Sequence, residues 1–150
     1  MHRLADKRNV LLCLAVGLAV AIVLAPKDSS FLPNFLFFWV PQLAVLAALF
    51  PFKAHLGTYA GVSLATAVYL AAFGAWLFAH RRPESMAWLG YLFSLPGGLI
   101  GAFVAIQWQR RNVAAPYLLI GAASFAFVLG GITVNQVLVC STLMHCAWPS

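Results

Sequence analysis

Five apolar runs without a charged residue inside them decide what this chain can fold into: residues 9–25, 34–50, 56–79, 86–108 and 114–139. A bilayer's hydrocarbon core is about 30 Å thick and takes about 20 helical residues to cross, with a usual range of about 17 to 25. The last three runs are long enough to span with some tilt, and the first two sit at the short limit. Lipid offers no water to bond backbone N–H and C=O groups, so runs of this kind must be helical. Composition agrees: 63% of the 150 residues are apolar or aromatic and 8% are charged, against about 25% charged in a soluble domain. A soluble globule, a disordered chain and a disulfide-stapled miniprotein are excluded. The expected fold is all-α, a single polytopic transmembrane helix bundle of about five spans.

The connections, 26–33, 51–55, 80–85 and 109–113, are short. Short links make consecutive helices antiparallel neighbours, and they leave no stretch for an extramembrane domain. Function is therefore expected within the helices or on their rims. The first run has a basic start and ends in Val23-Leu24-Ala25, the outline of a signal peptide. Pro26 follows at once, and its locked φ and missing N–H make a poor residue beside a scissile bond. The reading is a retained first helix.

The net charge of +6 does not form the basic stripe of a nucleic-acid binder. Its residues cluster at the ends of the apolar runs, as topology signals and headgroup contacts do. With five spans, Arg3, Lys7, Arg8, Lys53, Arg110 and Arg111 share one side, and Lys27, Arg81 and Arg82 the other. The positive-inside rule then places the N-terminus in the cytoplasm and the C-terminus in the periplasm of a bacterial inner membrane. A re-entrant second run would leave four spans and a narrower charge margin.

Reactive groups are sparse. Asp6, Asp28 and Glu84 are the only carboxylates, all in tails or loops, whereas proton-coupled transport keeps an ionisable group at membrane depth. Metal-assisted chemistry on lipids needs clustered carboxylates. Ser63, Ser94 and Ser124 lie within helices, where a hydroxyl bonds the preceding turn. His55 and His80 flank the third run roughly 35 Å apart at 1.5 Å per residue, so neither reaches Ser94 as a base. The two histidines that share a predicted side, His80 and His145, would lie near the rim and not at a haem's depth. No enzyme, cofactor or metal is expected.

Small residues at helical spacing are the clearest signal. Gly57 and Gly61 form one GxxxG pair and Gly97 and Gly101 another, with Gly98 beside it. Ala67, Ala71, Ala75 and Ala79 extend a ridge on the third helix, and Ala122, Ala126 and Gly130 do so on the fifth. Such ridges let backbones approach closely where lipid provides no hydrophobic drive. Pro41 and Pro96 each remove a helical hydrogen bond. Either neighbouring helices re-satisfy the freed carbonyls or a broken helix lines a substrate site. Few polar residues are expected inside the bundle: Gln42, Thr66, Ser94, Thr133, Asn135 and Gln136. The adjacent pair Asn135 and Gln136 points about 100° apart at 3.6 residues per turn.

Cys140 and Cys146 are a disulfide candidate at the outer end of the fifth helix, where the compartment is oxidising. Six helical residues rise about 9 Å, while bonded cysteines keep their Cα atoms within about 7 Å. The helix is therefore expected to end near Cys140, with 141–145 turning back. The alternatives are free thiols, and then a copper or zinc ion on the soft ligands Cys140, Met144, His145 and Cys146; Cys13 reads as a small buried hydrophobe.

An all-membrane chain rich in packing motifs and poor in reactive groups is expected to work by binding another membrane component. It would be an accessory or assembly subunit, or an immunity-type inhibitor of a membrane-inserted toxin. Its partners would be the lipid bilayer and another membrane protein, or itself as a homo-oligomer. The alternative is a small oligomeric channel or transporter with its pathway near Pro41, Pro96, Gly97 and Asn135.

Overall fold

The computed structural model describes residues 2–27, 29–79 and 87–144. It is all-helical over these residues: α1 (His2–Leu24), α2 (Phe31–Ala47), α3 (Leu56–Ala79), α4 (Ala87–Arg111) and α5 (Tyr117–Val139). A 3-10 turn, Phe50–Phe52, follows α2, and a π-helical turn, Cys140–Met144, follows α5. Five helices are long and apolar enough to cross a membrane, the second of them counted through Phe52.

The helix ends follow local chemistry. α1 begins ahead of its apolar run because a helix continues through Lys7 and Arg8 once it leaves the hydrocarbon. α2 starts at Phe31 with Pro33 inside its first turn, where a missing N–H costs nothing. α5 starts three residues later than its apolar run, because Pro116 holds an extended φ,ψ of −67° and 154° at the cap, and the residue before a proline avoids the α region. Arg110 and Arg111 occupy the last turn of α4, where cations oppose the helix dipole.

Helix order in space departs from the order in sequence. α3 packs tightly against α1 and α5, and α5 against α4, while α2 lies across α1, α3 and α4. Of the consecutive pairs, only α4 and α5 form a close antiparallel seam. The other two close seams join alternate helices, which run parallel: Gly17 of α1 faces Ala67 and Leu24 faces Gly74, and Gly57 and Gly61 of α3 face Gly121 and Ser124 in the same order. The expectation of consecutive neighbours fails because small residues, not loop length, select which backbones come together.

α2 stands off for the opposite reason. Its contact side carries Phe35, Phe37, Phe38 and Trp39, and interaxial distance grows with the side chains at the contact. Phe38, Tyr91, Leu49, Leu70, Ile106 and Ile132 are fully buried and fill the space between the layers. α5 buries Ile120, Ser124, Val128 and Ile132, a stripe four residues apart. Its opposite stripe, Leu118, Ala122, Ala126, Gly130, Val134 and Leu138, is exposed.

Candidate functional site

The glycines of the two GxxxG pairs are used inside the molecule. A Cβ added at Gly61 would fall on the Gly121 carbonyl oxygen, and one at Gly57 would stand 2.7 Å from the Tyr117 carbonyl oxygen. On the other seam, a Cβ at Gly97 would strike the Gly131 carbonyl and the Asn135 Cβ, and one at Gly101 the Phe127 carbonyl. Gly98 is looser, 3.1 Å from the Ile132 side chain. Backbone cannot swing aside as a side chain can, so a Cβ at Gly57, Gly61, Gly97 or Gly101 would overpack its seam. Gly131, unremarked in the sequence, is the reciprocal partner of Gly97.

Pro41 and Pro96 lie inside helices that continue through them. Each deprives the carbonyl four residues earlier of its donor, and the ring crowds that turn. The carbonyl three residues before each proline takes a side-chain donor from another helix. Tyr91 of α4 donates its hydroxyl to the Phe38 carbonyl at 3.2 Å, joined by the Gln42 amide at 3.2 Å. Asn135 of α5 donates its amide to the Phe93 carbonyl. Gly97 makes room for that reach, since any side chain there would meet Asn135.

A polar tier crosses the bundle at the level of Tyr91. Gln42 is 1% exposed, sits against Gly17 of α1 and shares the Phe38 carbonyl with the Tyr91 hydroxyl. Tyr91 stacks on Tyr69 with ring centroids 6.0 Å apart and planes 13° apart. The Tyr69 hydroxyl lies 3.4 Å from Gln136 Oε1, and Gln136 Nε2 lies 3.7 Å from Cys140 Sγ. Ser94 donates to the Tyr91 carbonyl at 2.6 Å. Phe38 meets Tyr91 edge-on at 6.2 Å and Phe73 lies 6.1 Å from it. Asn135 and Gln136 thus serve different neighbours, α4 and α3, as their angular separation requires. The tyrosines escaped the sequence reading because they count as apolar, and nothing local marks Tyr69 and Tyr91 as partners.

At the basic end, Gln109 of α4 caps α3. Its Oε1 accepts from the His55 backbone N–H at 2.9 Å and from the Thr58 hydroxyl at 2.7 Å, while His55 Nδ1 accepts from the Gly57 N–H at 3.1 Å. Orphan donors of the first turn are thereby satisfied. The nearby Tyr117 hydroxyl is the one buried side-chain polar atom without a hydrogen-bond partner among the described residues.

At the other end Cys140 is disulfide-bonded, while Cys13, in α1 beside the groove that Tyr117 lines, is a free thiol. Cys146 lies outside the described residues, as do Asp28, His80, Arg81, Arg82, Glu84 and His145. The chain does not turn back after Cys140. It widens into the π-helical turn, whose i to i+5 bonding continues the helix through Met144. Among the described residues, no group of three or more His, Cys, Asp or Glu is placed to hold a metal ion.

The outer surface carries grooves on both sides of the exposed α5 stripe. One, about 520 Å³, runs between α1, α3 and α5 past Leu64, Leu118, Ala122 and Phe125. The second, about 370 Å³, runs between α4 and α5 past Ile100, Ala126, Gly130 and Val134. A Cβ at Gly130 would meet nothing within 4 Å. Of the small ridges in the sequence, Ala122, Ala126 and Gly130 alone face wholly outward, whereas Ala67 is fully buried. Compared with family models, curated proteins and solved structures, the chain finds no match.

Proposed function

We propose that the protein is a membrane-embedded binding subunit that recognises another membrane protein, or a second copy of itself, within the bilayer. The observation that carries this reading is the outward placing of Ala122, Ala126 and Gly130 between two apolar grooves. Small residues four apart let a second helix approach closely, and inside this molecule the same device already closes the α3–α5 and α4–α5 seams. The buried polar tier supports the reading from the other side. Gln42, Tyr91 and Ser94 are buried, bonded to backbone and hemmed by aromatic rings, an arrangement that ties helices together.

The biological setting we infer is a bacterial inner membrane, with the end bearing Lys7, Arg8, Lys53, Arg110 and Arg111 in the cytoplasm. Accessory or assembly subunits and immunity-type inhibitors of membrane-inserted toxins are the roles of this kind that need no reactive group. A reporter fused after Arg111 should then behave as cytoplasmic and one after Ser150 as periplasmic. The functional test is co-purification from native membranes in mild detergent beside reconstitution of the pure protein. The reading predicts a stoichiometric partner or a self-complex, lost in Gly130→Leu, and silent liposomes. Solute or ion flux through liposomes holding this protein alone would replace it with the channel alternative.

A further inference from the structure

We propose that the groove between α1, α2 and α3 at the basic end holds one acyl chain of an anionic phospholipid, with the lipid phosphate against Lys53. It is the roomiest of the surface grooves described, about 720 Å³, and is lined by Val10, Leu14, Leu43, Leu46, Phe50 and Tyr59, with Lys53 at its mouth. The groove has a structural origin. The aromatic side chains that hold α2 away from its neighbours end at Trp39, and beyond them α2 turns Leu43, Leu46 and Ala47 to the groove, which leave the gap unfilled. From Leu43 to Phe50 the groove runs about 10 Å along the axis at 1.5 Å per residue. That depth lies within one leaflet's half of the roughly 30 Å hydrocarbon core.

Lys53 carries the second observation. Its φ of 51° and ψ of 46° are left-handed, and it is the one non-glycine residue with positive φ among those described. Glycine takes this conformation freely and an L side chain is strained in it. The turn Phe50–Phe52 thus ends on a lysine where glycine fits more easily, and the strained residue stands at the mouth of the groove. Lys7 lies three residues before Val10 and seven before Leu14, on the same face of α1, and it is exposed.

Charge selects the occupant. Lys7, Arg8, Lys53, Arg110 and Arg111 gather at this end, with Asp6 the one described carboxylate. Basic pockets between transmembrane helices take anionic headgroups, and a lysine ammonium is a compact point charge suited to phosphate. A second copy docked by two-fold symmetry would instead set like patches face to face, each bringing the same cations. The inference concerns a face separate from α5 and does not rest on the binding-subunit reading.

The test is native mass spectrometry of the full chain in mild non-ionic detergent, offered phosphatidylglycerol and phosphatidylcholine with identical acyl chains. One retained lipid per chain is expected, with phosphatidylglycerol favoured several-fold. Lys53→Gly, which removes the ammonium and relieves the backbone, should lower that preference about fivefold while thermal stability holds or rises. Lys53→Gln keeps the strained backbone and should lose the same preference. Ala47→Trp should fill the groove and end retention of both lipids, and Lys27→Gln on the opposite rim should change nothing. Equal retention of the two lipids by the wild-type chain would overturn the proposal, as would an unchanged preference in both Lys53 variants. Undiminished retention by Ala47→Trp, or a dimer in place of the lipid adduct, would do so too.

Discussion

Asn135 of α5 donates its side-chain amide to the carbonyl of Phe93, three residues ahead of Pro96 in α4. Tyr91 repeats the relationship with Phe38, three residues ahead of Pro41 in α2. In both cases the turn loosened by proline is held by a donor from another helix, on the carbonyl next to the one the proline deprives, Phe37 or Leu92. The two prolines and the two donors are therefore coupled pairs. Asn135→Ala should cost about 1 kcal/mol, the scale of interhelical hydrogen bonds in membranes. In a Pro96→Ala background, where residue 96 again bonds the Leu92 carbonyl and the turn around Phe93 tightens, the cost should be smaller. Equilibrium unfolding in mixed micelles, read as a double-mutant cycle, checks this, and strictly additive losses would show the pair to be independent.

The glycines separate sharply by what an added methyl would meet. Gly61→Ala, Gly101→Ala and Gly131→Ala should each lose about 1–3 kcal/mol by overpacking against backbone. Leucine at Gly61 or Gly101 should prevent assembly, whereas Leu64→Ala, on the lipid side, should fold. Gly130→Ala, with open space around it, should be neutral or stabilising by up to about 1 kcal/mol through helix propensity. Thermal unfolding in detergent distinguishes the two groups.

Five spans were legible because a helix in lipid must be long, apolar and uncharged, and hydropathy records all three. Helix ends were legible to within a few residues except where a proline or a charged turn shifted them, as at Pro116 and Lys7. Neighbour relations were less legible. Gly57 and Gly61 announce a close seam but not with which helix, since Gly121 stands 60 residues further on in the sequence. The polar tier was half visible: Gln42, Ser94, Asn135 and Gln136 stand out among apolar residues, and Tyr69 and Tyr91 do not, nor does Gln109 at the basic end announce itself as a cap. Their roles arise from meeting across helices, a property of the packed bundle that no local pattern carries.

Gln109 is such a case and gives a local prediction. Replacing it with leucine removes the acceptor for the His55 N–H and the fully buried Thr58 hydroxyl. A loss of about 1 kcal/mol is expected, as for other helix caps. Hydrogen exchange should accelerate in residues 55–58 and remain unchanged in the last turns of α3. Uniform acceleration would mean that Gln109 supports the whole bundle instead.

The thiols give a chemical readout. Cys13 is free and Cys140 is bonded, so denatured, unreduced protein should label at Cys13 alone, and reduction should expose Cys140 and Cys146 together. Labelling of all three without reductant would mean the bond is absent.

The central claim, that this protein acts through the outward face of α5, is tested most directly by placing a photo-crosslinking residue at Ala126 in native membranes. Val68 on α3, 42% exposed and not among the residues lining either groove, serves as the reference position. The account predicts a polypeptide adduct, either a distinct membrane protein or a second copy, from position 126 and none from position 68. Lipid adducts alone at both positions would contradict it.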